Sequence, residues 1–355
     1  MTCPQEIQAC AALNFFDVTY DDFLKAGRSA GRTLNRYFQI GERIVQLSFA
    51  GDVMINRTVP ALAHLETRPQ ERVDFTVCIF DSESTNTQIR LPVIPTSYNS
   101  QGEAIVFNNE RVYMRYEPNL NMLHVMDTLR STAIFWTQSI KTMPWWESSF
   151  PLRSIIHWYL EKSPFQPIHA GAVGFPEGGV LITGKAGSGK STATLACLDS
   201  ELYYAGDDYV LVKLEPAPFV YSLYNVAKID PPNLDRFPHL KSEVKNADRC
   251  DSEKAMVFLA ETRSEKLIKS FPLRAILISQ ITGIKDTRLR RVKEQESLKA
   301  IAPTTIFHLQ GDHKHTFAKI GELVRRVPSY ILEAGTDLLQ IPKVISELLR
   351  DKNNG

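Results

Sequence analysis

The stretch that constrains this chain most is residues 180–192, VLITGKAGSGKST. Four residues read as an apolar strand, a glycine-rich loop follows, and a helical pattern then runs on through Leu198. This is GxxxxGKS between a strand and a helix, which commits the surrounding chain to a phosphate-binding α/β arrangement. Gly184, Gly187 and Gly189 let backbone N–H groups turn inward on a β-phosphate, and Ala186 and Ser188 contribute the amides between them. The following helix turns the positive end of its dipole to the same anion. Lys190 is placed to bridge β- and γ-phosphates and the Ser191 hydroxyl to ligate Mg2+, with Thr192 completing the set. The expected cofactors are therefore ATP and Mg2+.

Upstream, residues 167–174 (PIHAGAVG) read as a strand, 175–179 as a turn and 180–183 as the strand entering the loop. Five turn residues cannot hold a crossover helix, so these strands are expected to be antiparallel neighbours. That departs from P-loop proteins built on βαβ units, in which the loop strand sits in a parallel sheet. Downstream, residues 202–212 (LYYAGDDYVLV) form a strand interrupted by Asp207 and Asp208, seventeen residues beyond Lys190. One acid suffices to hold Mg2+ through water. Two suggest a division of labour, one near the metal and one accepting a proton from an attacking hydroxyl; a turn with two solvated aspartates is the plain alternative.

At 355 residues the chain exceeds what one hydrophobic core usually holds, so two domains are expected. Residues 1–34 are polar and weakly patterned and read as an N-terminal extension. Residues 35–149 read as a β-rich, mostly antiparallel accessory or recognition domain. Its expected strands are 45–49, 75–80, 123–126 and 132–136, with a short helical stretch at 58–65 and a hairpin in which 105–107 pairs with 112–116 around Asn108 and Asn109. Proline and serine break the pattern at 143–149, where Trp145 and Trp146 read as a packing anchor. The amphipathic stretch 150–160 then opens the phosphate-loop domain, 150–355.

The charge balance excludes several partners. Forty-one Lys and Arg against forty Asp and Glu leave +1, no field for a polyanion, so nucleic acid is not expected. Cys3, Cys10, Cys78, Cys197 and Cys250 are scattered without a CxxC pair, which suggests neither a disulfide framework nor a zinc site. No secretory signal or membrane-spanning run is visible, so a cytoplasmic protein is expected. The basic run 285–293 reads as a solvated helix face and 241–254 as a surface loop. His169, on an apolar strand beside the phosphate loop, is a candidate for contact with the phosphates; the other histidines, including His308, His313 and His315 around a turn at Gly311–Asp312, read as surface.

Taken together, His169, GKAGSGKST and AGDDYV resemble the catalytic domain of HPr kinase/phosphorylase, a P-loop serine kinase structurally related to PEP carboxykinase, most clearly over residues 150–215. Residues 221–228 (YSLYNVAK), 300–311 (AIAPTTIFHLQG), the tail VPSYILEAGTDLLQIPKVISELL and LSFAGDVMINRTVPALAHLE in the first domain resemble the HPr-kinase-like group that includes kinases of lasso-peptide biosynthesis. The resemblance implies an α/β fold, a β-rich N-terminal domain followed by a P-loop domain with a mixed sheet. It implies transfer of the ATP γ-phosphoryl group to a serine hydroxyl of a peptide or small protein, a lasso-peptide precursor among the acceptors, and a homo-oligomer. In the matching positions Asp207 is the proton acceptor, Asp208 its metal-side partner with Ser191, and His169 lies close to the phosphates. The chain lacks the EIRGLGIIN-like stretch that gives the HPr enzymes a metal-side glutamate and an arginine, so HPr recognition and the reverse reaction are not carried over. Lys228 is the candidate for the missing positive charge. Three other readings remain: a nucleotide-sensing regulatory ATPase, a kinase of a small-molecule hydroxyl and a PEP-carboxykinase-like enzyme. The coexistence of Lys190, Ser191, Asp207 and Asp208 favours catalysis over sensing, because binding alone does not need a base.

Overall fold

The structure is a computed structural model that describes residues 4–91, 109–309 and 313–351, a mixed α/β fold with mixed sheets. The chain divides into two compact units, Met1–Pro60 with Leu65–Tyr159, and Ala61–His64 with Leu160–Gly355. None of the described helices is long and apolar enough to cross a membrane.

The first unit opens with helix α1 (Pro4–Ser29), where the sequence reads as an unpatterned arm. Ala12, Phe16, Phe23 and Ala26 fall on one helical face and are buried against Phe80, Leu123, Val125, Ile134 and Trp136. Polar residues between these anchors hide the stripe from a reading by composition. Seven strands follow: β1 (Thr33–Ile40), β2 (Arg43–Ala50), β3 (Glu66–Thr67), β4 (Phe75–Asp81), β5 (Val112–Glu117), β6 (Met122–Asp127) and β7 (Thr132–Thr137). They form one sheet ordered β3-β1-β2-β4-β7-β6-β5. The expected strands are present, but β4 runs parallel to both β2 and β7, so the sheet is mixed rather than antiparallel. The connection from β2 to β4, which carries α2 (Ile55–Thr58) and a 3-10 turn at Pro60–Leu65, is long enough to bring the chain back in the same direction. Strand β5 pairs with β6; its expected partner 105–107 lies outside the described residues. Helices α3 (Ser82–Thr85), α4 (Trp145–Ser149) and α5 (Arg153–Leu160) complete the unit. Tyr159 stacks on Phe75 at 4.1 Å and Arg115 Nη1 donates to Ser154 Oγ, so all of α5 but Leu160 belongs here and the division falls ten residues later than the sequence break. Trp145 lies beneath the Arg57 guanidinium, 4.1 Å from the ring centre.

The second unit carries β8 (Phe165–Ile168), β9 (Gly171–Phe175), β10 (Gly178–Thr183), helix α6 (Lys190–Ala196), β11 (Tyr203–Gly206), β12 (Val210–Lys213), β13 (Phe219–Ser222), β14 (Val226–Ile229), β15 (Ala255–Phe258), α7 (Leu259–Thr262), β16 (Ser270–Ile281), β17 (Arg288–Val292), α8 (Glu294–His308), α9 (His313–Arg326), β18 (Ser329–Ala334) and α10 (Gln340–Arg350). Strands are ordered β11-β9-β10-β16-β13-β12-β8, with β18 beside β16 and β17 beside β18; β14 and β15 pair separately. As expected, β9 and β10 are antiparallel, whereas β10, β16 and β18 are parallel. Alternation along the strands covers both faces. Val180, Ile182 and Leu277 pack under α6 and α10 with Ala193, Ile341 and Ile345. Leu181 and Ile276 pack on the opposite face with Ile301, Ile320 and Leu323 of α8 and α9. The basic run 285–293 is largely strand β17 at the sheet edge, not a helix face: exposed Arg288, Arg290 and Arg291 around half-buried Leu289 and Val292 suit an edge kept from pairing by charge. Residues 241–254 hold short 3-10 turns pinned by Asn246, which donates to the Lys254 carbonyl and accepts from the Met256 amide.

A half-buried, hydrogen-bonded histidine sets an acid limit on this unit. Asn225 Nδ2 donates to the Ala61 carbonyl and to His64 Nδ1, which leaves His64 Nε2 as donor to Ser222 Oγ at 2.6 Å. Burial, and then the Lys269 charge, push His64 from its ordinary 6.5 down to about 3. The unfolded chain therefore binds this proton first, and stability present above pH 6.5 is lost as pH falls towards 3. His64→Gln, which stays neutral, should flatten that slope by up to about one proton in urea denaturation measured across this range; an unchanged slope would contradict a histidine held neutral in the folded chain.

Candidate functional site

The site forms where two strands bend together. The sequence stretch read as one strand through residues 167–174 breaks at His169–Ala170: β8 pairs with β12, while β9 pairs with β10 and β11. The neighbouring chain breaks at Asp207–Tyr209, between β11 and β12, and changes partners at the same level. A bulge precedes the second break, and a Cβ on Gly206 would come within 2.7 Å of Val210 Cγ1, so only glycine lets the chain turn so tightly there. His169, Asp207 and Asp208 are thereby placed together at the bends, while the phosphate loop leaves the end of β10.

The loop is built as the sequence implies. Gly184, Gly187 and Gly189 have φ of 143°, 74° and 92°, which side chains rarely adopt. Lys185, Ala186 and Gly187 form the exposed tip, Ser188 is buried, and Ser191 and Thr192 lie half-buried in the first turn of α6. Lys190, buried at its head, donates from Nζ to the Gly184 and Lys185 carbonyls at 2.9 and 3.2 Å, filling the loop with its own charge. Burial holds its pKa below the ordinary lysine value, against the charges of Asp208 and Asp207, which favour protonation. From behind, Ser279 Oγ donates to the Ser188 carbonyl at 2.9 Å, while Ser188 Oγ is buried with no protein partner.

The two acids differ sharply in surroundings. Asp207 is buried; its Oδ2 accepts the Lys228 amide at 3.4 Å, the nearby Ser191 hydroxyl favours its ionised form, and Oδ1 has no partner. Burial, and then the Asp208 charge, push it up to about 7. Asp208 is more open. His169 Nε2 lies 3.5 Å from its Oδ1 and Lys228 Nζ 3.7 Å from its Oδ2. Burial works against ionisation here too, but the His169 hydrogen bond and the Lys228 charge outweigh it and hold the carboxyl well below the usual range. The structure brings together Ser191, Asp207 and Asp208, the residues to which the sequence reading gives the metal (Ser191 and Asp208) and the proton (Asp207).

An unpartnered carboxylate oxygen beside a serine hydroxyl fits a hard divalent cation, which restores the charged form of a carboxyl that burial has raised. Lys228, singled out as a substitute positive charge, stands at the acid pair. Four residues that the sequence reading did not assign to the site also contribute. His308, exposed as the sequence reading has it, ends α8 with its ring 4.5 Å from His169; Tyr209 flanks His169 at 5.3 Å; Thr305 Oγ1 accepts the His169 amide; and Lys254 adds positive charge to the acids. Only the fold brings 254 and 305–308 to residues 169 and 207, so spacing along the chain held no signal for them.

Comparison with solved structures adds likenesses, of which one serves as an example. The Hpr(Ser) kinase/phosphatase from Coxiella burnetii is similar over 54% of this chain and 99% of its own, at 14% identity and a TM-score of 0.31. No protein-family model and no curated protein sequence matches. An identity and a superposition of that size carry no functional weight, and the chemistry rests on the geometry above.

That geometry makes the loop fragile at one atom. A Cβ on Gly184 would lie 2.6 Å from Ser188 Oγ and 3.1 Å from the Ser279 carbonyl, at a φ that L-residues avoid. Gly184→Ala should weaken ATP binding about tenfold or more by calorimetry, since such strain costs about 1–3 kcal/mol, with the rest of the fold retained by circular dichroism. Unchanged affinity would contradict the loop conformation.

Proposed function

We propose that the protein is an ATP-dependent kinase that transfers the γ-phosphoryl group to a serine hydroxyl of a peptide or small protein. One observation carries this reading: the two adjacent acids beside the phosphate loop are unlike, Asp207 buried against Ser191 and Asp208 more open and kept ionised by His169 and Lys228. A nucleotide sensor has no use for that difference. A kinase needs it, one acid for the metal side and one for the incoming hydroxyl.

In this reading the loop amides and Lys190 hold the β- and γ-phosphates, and Ser191 with Asp207 would hold Mg2+. When bound, Mg2+ neutralises phosphate charge. Asp208 accepts a hydrogen bond from the acceptor hydroxyl and orients its lone pair towards the γ-phosphorus. As the new O–P bond forms and the bond from the γ-phosphorus to the β–γ bridging oxygen breaks, the hydroxyl proton passes to Asp208, giving ADP and a phosphoserine. His169 and Lys228 fix the Asp208 carboxylate from either side and keep it charged for this role. Resemblance in sequence to the HPr-kinase-like kinases of lasso-peptide biosynthesis supports a peptide acceptor, a lasso-peptide precursor being the first to try.

Incubation with MgATP and serine-bearing peptides, read by intact mass, should show one added phosphate per acceptor. Asp208→Asn should retain ATP binding and lose on the order of a hundred- to ten-thousand-fold in transfer rate. Lys190→Ala should lose both binding and transfer. Rapid ATP hydrolysis with no phosphorylated acceptor, or near-normal transfer by Asp208→Asn, would contradict the proposal.

A further inference from the structure

The phosphate loop accounts for the phosphates of a nucleotide and leaves its base unplaced. Among the described residues eight large hydrophobic side chains are exposed, and three of them gather on one side of this loop: Ile281 (58%), Ile284 (51%) and Leu339 (70%). Ile281 ends β16, Ile284 follows one turn later, and Leu339 follows β18. Because β16 and β18 are parallel to β10, all three residues lie at the same end of the sheet as the loop. They are also held together. The Thr336 amide donates to the Ile284 carbonyl at 2.8 Å and the Thr282 amide to the Ala334 carbonyl at 3.2 Å, lacing the two connections to each other. Ile281 borders the loop itself, its Cγ1 only 3.0 Å from where a Cβ on Gly189 would stand.

Direction then selects the occupant. Strand β10 has β9 on one side and β16 on the other. Asp207 directly follows Gly206 of β11, which pairs with β9 on the side of the loop strand away from β16, so a γ-phosphate facing Asp207 leaves the α-phosphate, ribose and base to extend the opposite way, over the ends of β16 and β18. Open α/β sheets take ligands across the carboxyl ends of their strands in this manner. Isolated exposed hydrophobics such as Leu129 on its turn are ordinary on a protein surface. Three exposed branched aliphatics on two connections laced beside a phosphate loop offer apolar area of the kind that covers a nucleobase.

We propose that Ile281, Ile284 and Leu339 form the shelf on which the purine base of the nucleotide rests. This rests on the reading of the loop as a nucleotide site. The shelf contributes to the affinity for ATP and nothing to the affinity for a ligand that consists of phosphates alone.

The test compares MgATP with magnesium tripolyphosphate by calorimetry on the full chain. Ile284→Ser with Leu339→Ser changes two exposed side chains that do not border the loop. This double variant should bind ATP about tenfold more weakly and tripolyphosphate within twofold of the unmodified protein. Lys190→Ala should lose both ligands. Unchanged ATP affinity in the double variant, or equal loss of both ligands, would overturn the shelf while leaving the loop in place. Retention of both ligands by Lys190→Ala would instead overturn the nucleotide site on which the shelf depends.

Discussion

Burying two neighbouring carboxylates is the constraint from which the rest of this site follows. Like charges one residue apart cannot both ionise away from water unless something opposes them. Here Lys228 Nζ and His169 Nε2 stand on either side of Asp208, and Lys254 adds its charge, so Asp208 keeps its negative charge and Asp207 carries the strain of the pair. The raised Asp207 carboxyl and its unpartnered Oδ1 are the two signs of that strain. On the proposed reading, a cation bound at Asp207 would relieve both.

The fold supplies this arrangement by bending two adjacent strands at one level. Were β8 and β9 a single straight strand, His169 would alternate into the core with its neighbours; the break at His169–Ala170 turns it to Asp208 instead. The break at Asp207–Tyr209 does the same for the acids. The antiparallel β9 on one side of the loop strand brings in the acids, and the parallel β16 on the other props the loop through Ser279. Helices on both faces bury the sheet, so the bends are held by the core and not by a ligand.

Local signals carried far in reading this chain, and distant ones did not. The loop glycines, the β9–β10 hairpin and strands β2, β4, β5, β6 and β7 of the first sheet follow from short-range pattern, because a turn of five residues or a positive φ is decided by neighbours in sequence; β1 and β3 do not. Helix α1 was hidden by polar residues between its buried anchors, and the parallel pairing of β4 depends on crossovers whose direction no local pattern records. In the site, the types of residues 190, 191, 207 and 208 are a local signal, but the partners of Asp208, His169 and Lys228, are not, since those contacts are a product of the strand bend. His308 and Lys254 were silent for the same reason.

Division of labour between the acids is the central claim, and binding of Mn2+ in place of Mg2+, followed by electron paramagnetic resonance with ADP present, tests it most directly. The unmodified protein and Asp208→Asn should bind one Mn2+ in a nucleotide-dependent manner, and Asp207→Asn should lose that site. Loss confined to Asp208→Asn, with Asp207→Asn binding normally, would contradict the account.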